Sequence, residues 1–192
     1  MSTIPYYGTY HHTTAEQSEI IRSALKTAFI DVFRKIENPD SIELILDAGC
    51  GLGYLSEIAA SFFDRSSVIG VDIFGSESLP EADIEIAENN MKSANLGDRV
   101  KFLKADLNGL EFHGSKFDLV VSNLVFHNLG KKKFSAYSKI FDVMKHGSYF
   151  ALGDFFSGAE DKNFLSSQLQ LLNERKNIDQ MPSMFSIMLL RK

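Results

Sequence analysis

The ten residues Leu44 to Gly53, LILDAGCGLG, restrict the fold of this chain more than any other stretch. A short apolar run ends in a carboxylate, Asp47, and three glycines follow at Gly49, Gly51 and Gly53. Leu55, Ile58, Ala59, Phe62 and Phe63 then recur at helical spacing, so the segment reads as buried strand, tight turn and amphipathic helix. Glycine tolerates positive φ and lets another molecule approach the main chain, which places a ligand pocket at the strand's C-terminal end. A dinucleotide fingerprint would run G-x-G-x-x-G, with the diphosphate on the helix N-terminus. Here Tyr54 stands where the third glycine would fall. Asp47 would repel a diphosphate and instead suits a cation such as an ammonium. A nicotinamide-dependent oxidoreductase is disfavoured on both grounds.

The rest of the chain alternates. The spacing of Thr13 and Glu16 predicts a capping box, and Ile21, Ala24, Leu25, Ala28, Val32 and Ile36 mark the apolar face of a first helix. It ends before the turn signal Asn38-Pro39-Asp40. A second helix carries Ile84, Ala87, Met91 and Ala94, with Gly97 placed to close it. A third carries Phe134, Tyr137, Phe141 and Met144, closed by Gly147. A fourth is predicted from about Glu160 to Arg175, with Phe164, Leu165, Leu169 and Leu172 inward, and MFSIMLLRK reads as a final strand. Strands separated by helices imply an α/β fold, a mainly parallel sheet covered on both faces.

Composition excludes several classes. A chain of 192 residues is one domain by length. No apolar run is long enough to cross a membrane, and the first residues lack the basic start and apolar centre of a secretory signal. The single cysteine, Cys50, rules out an internal disulfide and fits a reducing cytoplasm. A net charge of -5 argues against a broad nucleic-acid surface, and Lys131 to Lys133 read as a solvated helix start.

Asp72 ends the run VIGVD about twenty residues past the glycine turn, the place of an acid that accepts both hydroxyls of a ribose. His127 lies just past the strand FDLVVSN, on the expected substrate side, where an imidazole could take a proton from an attacking hydroxyl. It is the candidate catalytic residue. His11 and His12 share a leader with Tyr6, Tyr7 and Tyr10; adjacent histidines make a poor metal pair, and no metal site is expected. A lid over the pocket suits those aromatic rings better. His113 and His146 read as loop and helix-end residues, and Cys50 as a small side chain within the turn.

LILDAGCGLG resembles the first motif of class I S-adenosylmethionine-dependent methyltransferases. In register with it, VIGVDIF, VKFLKADL, FDLVVSNLVFHNL and HGSYFALGDF resemble the second to fifth strands of that family. The resemblance implies a Rossmann-like, three-layer fold with a seven-stranded sheet whose last strand is antiparallel. Little room remains between Arg175 and Met184 for the usual penultimate strand, which is expected to be short or missing. Residues 1–40 are expected to be a leader and helix packing on the core and covering the site, and residues 41–192 the cofactor-binding domain. The implied cofactor is S-adenosyl-L-methionine, held by Asp47, Gly49, Cys50, Gly51 and Gly53 at the turn and by Asp72 with Ile73 at the ribose. Asp106 and Leu107 are implied at the adenine, and Ser122 and Asn123 at the methionine end. The extra loop from Phe74 to Pro80 departs from the commonest form of the family, and Asn123-Leu124-Val125 departs from the Asn-Pro-Pro-aromatic form of amino-directed nucleic-acid methylases.

The expected activity is methyl transfer to a small-molecule acceptor at O, N, S or C, without a membrane and with a homodimer allowed. Two alternatives stand beside it: a protein or RNA methyltransferase relying on a partner subunit, and a non-catalytic cofactor-binding module.

Overall fold

A computed structural model describes residues 4–75, 79–112 and 116–192. Seven strands form one sheet in the order β3-β2-β1-β4-β5-β7-β6. Strands β1 (Leu44–Ala48), β2 (Ser67–Asp72), β3 (Val100–Lys104), β4 (Phe117–Asn123) and β5 (Met144–Phe155) run parallel. The last strand, β7 (Phe185–Arg191), is antiparallel to both β5 and β6 (Gln170–Arg175). Successive strand residues face opposite sides. Ile45, Leu119 and Ala151 therefore pack against α1 (Ala15–Phe33), α2 (Tyr54–Phe62) and α3 (Ile84–Ser93). Leu46, Val120 and Phe150 pack against α4 (Lys133–Val143) and α5 (Ala159–Gln168). The strand order reverses between β1 and β4, so their C-terminal ends flank the crevice where ligands of open α/β sheets bind.

Four local expectations are corrected. The capping box sits one residue later, on Thr14 and Gln17, because the Thr13 hydroxyl is engaged with the Tyr10 carbonyl and the Ser18 hydroxyl. Helix α3 is ended by Asn95, in the left-handed region at φ 58°, and not by Gly97. Gly147 closes no helix: α4 passes directly into β5 at Met144, and Gly147 (φ 79°) lies within that strand together with His146. The fourth helix stops at Gln168, and the residues expected to continue it form β6. Leu172, expected inward, is 39 % exposed. That stretch finds its hydrogen bonds across to β7, a long-range partner invisible to local periodicity, and it supplies the penultimate strand ahead of Arg175.

Two cationic side chains finish the helices. Arg99 donates to the carbonyls of Ala60, Phe63 and Ser66 at the end of α2, and Lys192 to those of Phe141 and Met144 at the end of α4. Among the described residues, no helix is long and apolar enough to cross a membrane.

Candidate active site

The glycine turn leaves β1 with Gly49 at φ 79° and enters α2 through Gly53 at φ 86°, a conformation that side-chain-bearing residues rarely adopt. The main-chain N–H groups of Gly49 and Cys50 donate to the Val71 carbonyl, and that of Gly51 donates to Asp72 Oδ2 at 2.9 Å. Turn and β2 end are thereby tied together. A Cβ at Gly49 would lie 2.4 Å from Val125 Cγ2, so the segment after β4 closes directly on this glycine. Cys50 is buried in the turn, and burial pushes its thiol well above the usual range.

Asp47 is 1 % exposed. Its Oδ2 accepts the Ser56 hydroxyl at 2.6 Å, while Oδ1 is buried without a hydrogen-bond partner among the described residues. Burial raises its pKa to about 7; the Ser56 hydrogen bond pulls it down, and the nearby Asp72 charge adds to the rise. An orphaned carboxylate oxygen beside a glycine turn is fitted to a cationic group. Asp72 accepts from Gly51 and, at 2.8 Å, from the Phe74 N–H, which fixes its carboxylate at the turn. Ile73 beside it is exposed.

The other expected residues lie on the same edge of the sheet. Asp106 is exposed and caps the turn Leu107–Gly109 by accepting from Asn108, while Leu107 is buried beneath. Ser122 is fully buried, and its hydroxyl donates to the Ala48 carbonyl at 2.7 Å, which ties the end of β4 to the end of β1. Asn123 carries a second buried side-chain oxygen, Oδ1, that has no partner among the described residues. The loop expected between Phe74 and Pro80 is described only in part, and His113 lies outside the described residues. His11 and His12 are exposed on the leader. Lys131 and Lys132 are also exposed, but Lys133 pairs with the buried Asp161 at 2.7 Å.

The residue that sequence reasoning missed is Asp154. Leu124 leaves β4 in the left-handed region (φ 60°), an uncommon conformation for a leucine that turns the chain sharply. The following turn aims the N–H groups of Phe126 and His127 at Asp154 Oδ2, at 2.7 and 3.3 Å. Oδ1 accepts the Phe155 N–H and lies 2.5 Å from His127 Nδ1. The carboxylate is buried, the imidazole is 30 % exposed, and its ring meets the Phe155 ring edge-on at 4.9 Å. A buried carboxylate on Nδ1 fixes the tautomer and leaves the other ring nitrogen as the acceptor of a proton. The available signal was one acid near the end of the apolar run FALGDF.

Comparison with known proteins places these features in a family. The model of a methyltransferase domain matches residues 39–185. Over 88 residues the chain is 33 % identical to the ribosomal protein uL3 glutamine methyltransferase of Francisella tularensis, covering 46 % of this chain and 26 % of that protein. Over 152 residues it is 28 % identical to the sterol 24-C-methyltransferase ERG6 of Saccharomyces cerevisiae, covering 78 % of this chain and 37 % of that protein. The chain thus spans well under half the length of these curated relatives. Magnesium protoporphyrin IX methyltransferase (ChlM) from Synechocystis PCC 6803, solved with bound SAM, superposes with a TM-score of 0.70 at 19 % identity, covering 95 % of this chain and 86 % of that one. By its matched domain, its sheet order and its glycine turn, the chain belongs to the class I S-adenosylmethionine-dependent methyltransferases.

Proposed function

We propose that the protein transfers a methyl group from S-adenosylmethionine to a hydroxyl of a small organic acceptor. The observation that carries this reading is the His127–Asp154 pair at the end of β4, with Nδ1 held at 2.5 Å and the ring partly exposed. The cofactor supplies a methyl group already activated on a sulfonium. The protein must therefore align the acceptor, exclude water and receive the acceptor's proton. His127 takes that proton, and buried Asp154 stabilises the imidazolium that forms. The unpartnered oxygen of Asp47 would receive the cofactor's ammonium and the glycine turn its amino-acid tail. Asp72 with Ile73 beside it would hold the ribose, Asp106 and Leu107 the adenine, and Asn123 the methionine end, with Ser122 bracing the strand beneath it. A cytoplasmic setting belongs to the same proposal.

A small acceptor is supported by the relatives whose names carry a sterol and a magnesium porphyrin. The second reading, a protein acceptor presented by a partner subunit, is favoured by the similarity to the uL3 glutamine methyltransferase. Incubating the protein with methyl-labelled cofactor and a whole-cell extract, protein and RNA included, tests both. Label on a small hydroxyl-bearing compound is the expected result. Label confined to protein or RNA, or a stable heteromeric complex on native purification, would overturn the small-molecule reading.

A further inference from the structure

Asn90 is a polar residue on the apolar face of α3, beside Ala87 and Met91, and it is 4 % exposed. Among the described residues, its side-chain hydrogen bonds all run away from its own helix. Its amide donates to the Tyr6 carbonyl at 2.7 Å and to the Leu52 carbonyl, inside the glycine turn, at 2.9 Å. Its Oδ1 accepts the Tyr6 N–H at 2.8 Å. The side chain thus pairs with one leader residue as a neighbouring strand would, and pins that residue to the turn.

Beyond Tyr6 the leader crosses the turn. Gly8, at φ 72°, packs so closely that a Cβ there would lie 3.0 Å from Leu79 Cδ1 and 3.4 Å from Leu52 Cδ1. A Cβ on Gly51 would meet the other Leu79 methyl, Cδ2, at 3.0 Å, so Leu79 is held between the leader and the turn. Thr9 N–H donates to Glu81 at 3.2 Å. The far end is anchored on α1, where Tyr10 N–H donates to Ser18 and the buried Arg22 lies over the Tyr10 ring and donates to the Tyr7 carbonyl. Tyr7 reaches Glu57 on α2. Tyr7 and Tyr10 are thus gripped by groups on α1 and α2, and Tyr6 by the single side chain of Asn90 on α3.

We propose that residues 6–10 are a strap, latched across the glycine turn by Asn90, and that cofactor enters and leaves only when this latch opens. The proposal rests on the reading above that the turn holds S-adenosylmethionine; Asn90 acts on that site as a positioning residue. Leu79 and the strap lie over the surface that a ligand must reach to approach the Gly51 main chain. Release of Tyr6 cuts the tie that runs from the strap through Asn90 to the Leu52 carbonyl and loosens both.

Two variants break the latch from opposite sides. Asn90→Ala removes it from α3, and Tyr6→Pro removes the N–H that Asn90 accepts without touching the core. Labelled S-adenosylmethionine is loaded and chased with unlabelled S-adenosylhomocysteine, and amide hydrogen exchange is followed over residues 6–10 and 51–54. Tyr6→Pro, which loses one of the three Asn90 hydrogen bonds, should speed release by roughly tenfold, and Asn90→Ala, which loses all three, by at least as much, with faster exchange in both segments. A folded Tyr6→Pro protein with wild-type release and exchange would overturn the latch, even if Asn90→Ala fails to fold. If the wild type retains no labelled cofactor, the functional reading falls, and the exchange measurement alone decides on the latch.

Discussion

Replacing Asp47 with asparagine should make the empty protein more stable while removing its affinity for cofactor. The carboxyl rises from a reference pKa of 3.8 to about 7, chiefly because it is buried. Its folded form therefore holds a proton that the unfolded chain gives up between those two values. Stability falls as pH rises through that window, and above it the full burden of an ionised, half-satisfied carboxylate is present. Three units at about 1.4 kcal/mol each set a ceiling of about 4 kcal/mol. Asparagine keeps the acceptor for Ser56 but puts a buried N–H pair where Oδ1 stood, which costs about 1–3 kcal/mol. The net expectation is a gain of about 1–3 kcal/mol at pH 8, disappearing or changing sign near pH 4.

Urea unfolding of the ligand-free wild type and Asp47→Asn at pH 4, 6 and 8 measures this directly. The same carboxylate sets a second slope, because an ammonium pairs only with its ionised form. Wild-type affinity for S-adenosylmethionine should drop about tenfold between pH 8 and pH 6, with proton release on binding when calorimetry is run in buffers of different ionisation enthalpy. A stability difference between the two proteins that does not change with pH would refute the argument, whatever happened to binding.

Three further outcomes are expected. His127→Ala should lower kcat by about 10²–10⁴ with cofactor affinity unchanged, Asp154→Asn should lower it in the same direction, and the double variant should be no slower than His127→Ala, because the two side chains act as one unit; additive losses would separate them. Arg99→Met should lower stability by about 1–3 kcal/mol in urea through the uncapped carbonyls of α2, leaving turnover of folded protein unchanged. Gly49→Ala should be strongly destabilising and be partly rescued by Val125→Ala, since one clash joins them; a double-variant cycle in thermal unfolding without coupling would deny that contact.

The parts of this molecule legible from its residues are those whose physics is local. A glycine turn after a buried strand, amphipathic periods and an acid at the end of β2 are each specified within a short window, so the strand-helix alternation and a pocket at the C-terminal end of β1 could be read directly. The expected features that failed are those decided by partners far along the chain. Residues 170–175 carry a helix-compatible pattern, yet β7 offers their main chain a complete set of cross-strand bonds, and the strand wins. Asp154 and Asn90 were overlooked for a related reason. Each is a polar residue in an apolar pattern, and most of its hydrogen bonds come from groups 27 to 84 positions away in sequence. A polar residue that interrupts a buried face is costly unless it is bonded, so its presence in the pattern announces a distant partner without saying which. In this chain both interruptions fall at the rim of the crevice, one fixing the imidazole and the other fixing the leader. The groups that orient His127 and the leader were thus written in the sequence as departures from the rules that made the fold readable.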